Sequence, residues 1–362
     1  MNYAESLSGK ASNLPHPAII GISASAFLTL LVIIGSRNLE HFDSALFGYT
    51  IASIVAFGAI FFRYALWLRR PATRTYFLRG LKLFFRRKNF GVNAASAVTT
   101  TANNLVAQSF IRKRGVSRWL THGLIMWGCV FSAMITFPLV FGWIHFELEG
   151  ELGYRTYLFG FPLMVMNGRT FLAWVVFHGL DFTALMVIAG CAIAIHRRLN
   201  DRGAIAYQTF LLDFVPHMML IAISVSGLML TVSSLWFEGY MYSFISLSHQ
   251  AVVIMTLFYL PFGKLFHIVQ RPASIGVELY HERASEMEQA VCPRCGSEFA
   301  GQMWIDDLKS VVGELGFDYR MDNGKTLQDY CPRCKRILRG MTYAKIRNEF
   351  RGRRLDTEET SQ

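Results

Sequence analysis

Long uncharged runs of apolar residues alternate with short charged connections over the first three quarters of the chain, predicting six helices of membrane-spanning length. The runs lie at 17–35, 46–68, 119–143, 170–195, 210–235 and 246–268. From about residue 271 the pattern changes: the sequence becomes polar and charged and loses sustained apolar periodicity, with Gln270-Arg271-Pro272 as the exit from the membrane. The pattern predicts an all-α polytopic membrane helix bundle over 1–270, a small cytoplasmic metal-binding domain over 271–345, and a disordered tail over 346–362. The stretch 93–108, rich in Ala, Thr and Asn and free of charge, reads as a helix in or near the membrane interface.

Charge placement sets the orientation. The net charge is +11, and from Arg63 to Arg118 there are thirteen Lys or Arg residues and no Asp or Glu. Arg197, Arg198 and Arg202 follow the fourth run, whereas Glu147, Glu149 and Glu151 follow the third and Glu238 follows the fifth. The positive-inside rule then places both termini and the basic loops in the cytoplasm, which six spans permit. Next to membrane spans, this basicity reads as topology and as attraction to anionic lipid or an acidic partner, not as nucleic-acid binding. No basic n-region and small-residue cleavage site precede the first run, so that span is expected to be retained.

Ten histidines punctuate the chain. His16, His41, His145, His196 and His281 fall at span ends or in aqueous segments, where solvated or interfacial roles suffice. His122, His178, His217, His249 and His267 fall inside spans or at their margins, where an ionisable side chain is costly and therefore points to function. His249 and His267 are eighteen residues apart in the last run. On one continuous helix that is five turns, so both would share a face about 27 Å apart, close to the hydrocarbon thickness of a bilayer. The predicted topology sorts the five into an inner group (His122 and His267, with His217 about two turns deep) and an outer group (His178, about two turns into the fourth span, and His249). Heme b held by two imidazoles needs one His from each of two helices at matched depth, and both groups meet that requirement. Gly123, Gly128, Gly179 and Gly263 lie nearby, where glycine serves either a flat macrocycle or helix packing. Asp181, three residues after His178, is placed to orient an imidazole, to carry a quinone proton, or to bond a neighbouring helix.

The run Arg118-Trp-Leu-Thr-His122-Gly-Leu-Ile-Met-Trp127-Gly128 resembles the first heme-bearing helix of the nitrate reductase gamma-subunit superfamily, which includes the cytochrome b subunits of membrane heterodisulfide reductases. The run from His249 to His267 resembles that family's last helix, including its Pro-Phe-x-Lys/Arg-x-x-His ending at Pro261-Phe262-Gly263-Lys264-Leu265-Phe266-His267. The resemblance covers roughly residues 100–275. It implies quinone-linked electron transfer through two b hemes in a bacterial or archaeal cytoplasmic membrane, in complex with an iron–sulfur or molybdenum redox subunit. The chain departs from that pattern in an extra N-terminal span and an appended Cys domain. Gamma subunits also carry a second His ten residues after the first; position 132 here is Ser, and His178 is read in its place.

Cys129 and Cys191 lie within spans, as small apolar residues often do. The other four form Cys292-Pro-Arg-Cys295 and Cys331-Pro-Arg-Cys334, separated by thirty-five residues. Two such knuckles bring four thiolates into one tetrahedral site. A reducing cytoplasm disfavours disulfides. Gly296 and Lys335 follow the knuckles where c-type heme attachment needs His. Structural zinc is favoured over rubredoxin-type iron, because Arg294, Arg333, Lys335 and Arg336 crowd the knuckles and no Gly follows the second one.

The expectation is a cytochrome b subunit passing electrons between the quinone pool and a cytoplasmic redox partner. His122 with His267 would hold an inner heme and His178 with His249 an outer one. His217 would be a reserve ligand or quinone partner. A proton-coupled transporter is the rival from another class, and a membrane scaffold with a partner-recruiting zinc domain is a third reading.

Overall fold

The computed structural model describes residues 15–201, 203, 208–321 and 323–359. The N-terminal segment 1–14, expected in the cytoplasm, and Arg202 of the second basic segment lie outside the described residues. Six helices among those described are long and apolar enough to cross a membrane. They are α1 (Pro17–Gly35), α2 (Phe47–Leu68, entered through a 3-10 turn at Ser44–Leu46) and α5 (Val116–Val140), then α7 (Gly179–Asn200), α8 (Val215–Trp236, preceded by a π-helical turn Phe210–Phe214) and α9 (Tyr242–Phe262). Between α2 and α5 come α3 (Pro71–Phe84) and α4 (Phe90–Thr100, continued by a π-helical turn Thr101–Val106). The protein is an all-α polytopic bundle of integral membrane character, and its chain falls into two compact units.

The membrane unit comprises Pro15–Leu66 and Thr101–Pro272. Its helices stack in chain order, α5 on α7, α7 on α8 and α8 on α9. Large apolar side chains such as Ile22 (69% exposed) point outward; in water they would drive aggregation, in a bilayer they are the lipid-facing surface. A small core of Leu28, Val32, Val140 and Phe141 ties α1 to the end of α5, where the Thr50 hydroxyl donates to the Val140 carbonyl at 2.9 Å.

Three features correct the sequence reading. First, α9 ends at Phe262: Pro261 supplies no N–H, Gly263 is extended, and a 3-10 turn (Lys264–Phe266) leads to a short helix beginning at His267. His249 and His267 therefore do not share one continuous helix. Second, His178 is not two turns inside a span. It is the break between a short helix α6 (Phe171–Phe177) and α7, at the very start of the fourth span. Third, the connection after α5 is an antiparallel sheet of β1 (Ile144–Glu149), β2 (Gly153–Leu158) and β3 (Phe161–Asn167), in the order β1-β2-β3.

The second unit joins Trp67–Thr100 to Ala273–Gln362, so it takes in α3 and α4 as well as the tail beyond residue 270. Its tail elements are α10 (Ala273–Ser285), the hairpin β4 (Gln289–Val291) and β5 (Glu298–Gly301), α11 (Gln302–Glu314) and α12 (Pro332–Glu359). α3 crosses α10 where Gly80 meets Gly276: a Cβ on Gly80 would lie 2.7 Å from the Gly276 carbonyl oxygen. Polar pairs seal the unit. Asn93 donates to the Leu83 carbonyl at 2.7 Å and accepts from the Arg283 guanidinium at 2.9 Å, and the Trp304 indole N–H donates to the Tyr76 hydroxyl at 3.0 Å. α12 stays helical to Glu359, where composition predicts disorder, because its residues are mostly good helix formers; Thr360–Gln362 lie outside the described residues.

Candidate functional sites in the membrane and tail units

Each of the five candidate histidines is held through Nδ1. His122 on α5 faces Gln108 Oε1 at 2.8 Å, and His178 faces Asp181 Oδ2 at 2.8 Å. His217 on α8 faces the Asp213 carbonyl at 2.8 Å, His249 on α9 the Ser226 hydroxyl at 2.9 Å, and His267 the Lys264 carbonyl at 2.7 Å. Among the described residues no hydrogen bond to Nε2 of His122, His178, His217 or His267 is seen, and the His249 ring also lies beside the Ile223 carbonyl. A partner on one ring nitrogen fixes the ring plane and the tautomer, leaving the other nitrogen free to ligate, which is the usual arrangement around a ligating imidazole. Imidazole nitrogens on separate elements, each oriented by an outer partner, are the type of donor that a bis-imidazole heme site would use.

The structure brings some of these residues together. His267 and Arg271 lie within electrostatic reach of His122. His178 and His249 are both tied to α8, but at different residues. Asp181 accepts from the Thr231 hydroxyl at 2.8 Å while also holding His178, whereas His249 is held by Ser226. Those contacts are five residues apart on α8, about 7.5 Å in depth, and His178 and His249 make no direct contact. Tyr49 on α2 adds its ring 6.4 Å from that of His249.

The glycines divide between the two roles open to them. A Cβ on Gly128 would lie 2.7 Å from Val187 and 3.1 Å from the Thr183 carbonyl, so this residue allows α5 to meet α7 closely. Gly123, next to His122, has open space where its Cβ would stand. Ser132 donates its hydroxyl to Thr183 Oγ1 at 2.7 Å, stitching α5 to α7.

Sequence reasoning missed the ionic cluster at the start of the fifth span. Asp213 pairs with Lys264 and with Arg198, and its Oδ2 accepts the Thr209 N–H at 3.0 Å. Gln108 was also missed; it takes a left-handed backbone (φ 52°) and is buried against His122. Its only sequence signal is a polar residue at the end of an uncharged stretch.

In the tail unit, Cys292, Cys295, Cys331 and Cys334 converge with their sulfurs all within 4.8 Å of one another, Cys295 and Cys331 at 3.7 Å. Four sulfurs about 2.3 Å from one tetrahedral ion stand about 3.8 Å apart, so the cluster needs little adjustment to take zinc or iron. The first knuckle is the β4–β5 turn, closed by the Cys292 N–H to the Ser297 carbonyl at 2.9 Å and by Gly296 at φ +70°. The second caps α12, with the Cys334 N–H on Cys331 Sγ at 3.4 Å. Cys292, Cys331 and Cys334 are buried and pack with Tyr330, Phe299, Met321 and Leu338. Burial raises the Cys292 thiol, but N–H groups of Cys331, Cys295 and Arg294 outweigh it and bring the thiol down to about 6. Burial and the neighbouring thiols push Cys334 up to about 12. A cation at the centre would favour the thiolate form of all four. No family model, curated protein or solved structure matches the chain.

Proposed function

We propose that the protein is the cytochrome b subunit of a respiratory oxidoreductase complex, moving electrons between the membrane quinone pool and a redox partner at the cytoplasmic face. The observation that carries this reading is the shared anchoring of Nδ1 in five imidazoles within or beside the spans, which leaves the second ring nitrogen as the candidate ligand. His122 and His267 would hold an inner heme b, His178 and His249 an outer one, and His217 would serve as reserve ligand or quinone hydrogen-bond partner. Bound heme supplies the one-electron carrier. The chain's own part is to fix the imidazoles: Gln108, Asp181 and Ser226 set ring orientation, and the Thr231 hydroxyl holds Asp181 toward His178.

The tail cluster is proposed to hold structural zinc, with rubredoxin-type iron as the variant, and to grip an iron–sulfur or molybdenum partner during assembly. The Asp213–Lys264–Arg198 cluster favours a second reading, a proton-coupled carrier, since charges grouped at a span end suit an ion path. A pyridine hemochrome assay on purified protein separates the two. Two b hemes per chain support the cytochrome, and their absence leaves the carrier. The reading as a scaffold would be left by absence of both heme and transport.

A further inference from the structure

The membrane unit carries a second convergence of metal-type ligands, remote in sequence from the spans' histidines. His41, in the connection between α1 and α2, meets His145 and Glu147 of β1, with one ligand atom from each residue all within 4.8 Å of one another. These connections follow the first and third spans, so they emerge on the same side of the membrane by simple parity, and by charge that side is the outer one.

The local structure is built to hold these groups. The rings of His41 and His145 stack at 4.1 Å, and Tyr157, opposite His145 in the β1–β2 register, stacks on His145 at 4.6 Å. The Tyr157 hydroxyl also lies within electrostatic reach of Glu147. The backbone behind His41 is clamped. Its N–H donates to the Ser36 carbonyl at 3.2 Å, Ser36 is fully buried, and Gly142 (φ +67°) fits so closely that a Cβ there would lie 2.9 Å from the His41 carbonyl oxygen. The backbone support is fixed, while the stacked rings, 14° from parallel, must turn for their in-plane lone pairs to meet at one ion.

Packing alone does not account for the arrangement. His41 Nε2, His145 Nδ1 and His145 Nε2 are buried without a hydrogen-bond partner among the described residues. Buried polar atoms are nearly always satisfied, and three orphans at one point are a concentrated cost. His145 Nε2 and the nearest Glu147 oxygen are 3.6 Å apart, too far for a good hydrogen bond. Nitrogen and oxygen ligands about 2.1 Å from one tetrahedral ion are separated by about 3.4 Å. An ion would satisfy one nitrogen of each ring and the carboxylate together.

We propose that His41, His145 and Glu147 bind a divalent transition-metal ion of the zinc class. Two imidazoles and one carboxylate suit zinc, copper or nickel and leave a coordination position open to water or an exogenous ligand. This assignment is independent of the heme reading.

The test is equilibrium dialysis of the purified full-length protein against micromolar Zn2+, followed by elemental analysis. The wild type should retain one zinc more per chain than His145→Ala or His41→Ala, whatever the tail cluster holds. Glu147 is 53% exposed, so Glu147→Gln leaves the fold intact and should weaken retention of that ion at least about tenfold. Copper(II) loaded into the same protein should show an electron paramagnetic resonance signal with two-nitrogen coupling that His145→Ala abolishes. Equal zinc in wild type and all three variants, or unchanged affinity in Glu147→Gln, overturns the proposal.

Discussion

Arg79 and Asp307, 228 residues apart in the chain, form a two-pronged ion pair: Nε lies 3.1 and 3.2 Å from the two carboxylate oxygens and Nη2 lies 2.9 Å from Oδ1. Asp307 is almost fully buried and also accepts the hydroxyl of Tyr280, itself completely buried, at 2.9 Å. The pair holds Arg79 charged, its carboxylate partner raising the guanidinium further still. A basic connection between spans is thereby folded onto an acidic helix of the tail, and Arg74 with Glu314 repeats the pattern.

Asp307→Ala should therefore destabilise the tail unit by about 2 kcal/mol, because it leaves the buried Tyr280 hydroxyl without a partner as well as breaking the pair. The Arg79 guanidinium left behind in that variant is 43% exposed and can be solvated. Arg79→Ala should cost more, about 3 kcal/mol, because it leaves the buried Asp307 carboxylate without its cation. Limited proteolysis of the full-length protein in detergent reads both effects: cleavage within 273–345 should accelerate more for Arg79→Ala than for Asp307→Ala. The reverse order would mean that the orphaned Tyr280 hydroxyl, not the uncompensated carboxylate, dominates.

The six spans were legible because a run of some twenty apolar residues has few other physical meanings. The start of the fourth was not, because Phe171–Phe177 is as apolar as the helix that follows and nothing in composition marks the break at His178. The sheet left a trace that an all-helical expectation overlooked: Ile144-His-Phe-Glu-Leu-Glu alternates, and Phe159-Gly160, both at positive φ, make the two-residue hairpin turn joining β2 to β3. The four cysteines were fully legible, since their spacing encodes the cluster. Neither Arg79 nor Asp307 announces its partner, because a long-range ion pair has no local sequence signature. The Nδ1 anchors are equally silent: three of the five acceptors are Gln, Asp or Ser side chains whose relevance appears only when the helices are assembled.

Ser132→Ala should leave any heme signal unchanged and lower stability by about 1 kcal/mol, the worth of one interhelical hydroxyl bond. Thermal loss of tertiary structure in detergent measures the second effect and the difference spectrum the first. A spectral change would place Ser132 beside a cofactor, contrary to its contact with Thr183.

Cys292→Ser should abolish stoichiometric metal at the tail and loosen it to proteolysis, because thiolate ligation and folding are coupled there. The same variant should leave the absorption of the membrane unit nearly intact. Elemental analysis of the wild type distinguishes zinc from iron, the latter with a visible thiolate charge-transfer band. Absence of both metals, with all four thiols alkylated as fast as exposed cysteine, would remove the cluster from the list of metal sites.

Labelling of single cysteines introduced into 69–118 from outside intact cells tests the orientation: the segment, with twelve Lys or Arg residues and no Asp or Glu, should stay protected until the membrane is opened. Reaction in intact cells would invert the topology and move the His41–His145–Glu147 group to the cytoplasmic side.

Gln108 offers the sharpest test of heme ligation by His122, because two isosteric replacements should act with opposite sign. If Nε2 of His122 holds iron, Nδ1 must carry the proton and donate to Gln108 Oε1, 2.8 Å away. That hydrogen bond makes the imidazole a stronger donor and favours the oxidised metal. Gln108→Met removes the acceptor, so the midpoint potential of one heme should rise. Gln108→Glu strengthens the acceptor with a full negative charge, so the same potential should fall. Shifts on the order of tens of millivolts are expected from a change in hydrogen bonding to an axial ligand. A structural role for Gln108 would move both variants in the same direction or lose heme from both. Redox titration of the alpha band in the two variants therefore decides whether His122 is a ligand held by Gln108 or a buried histidine satisfied by it.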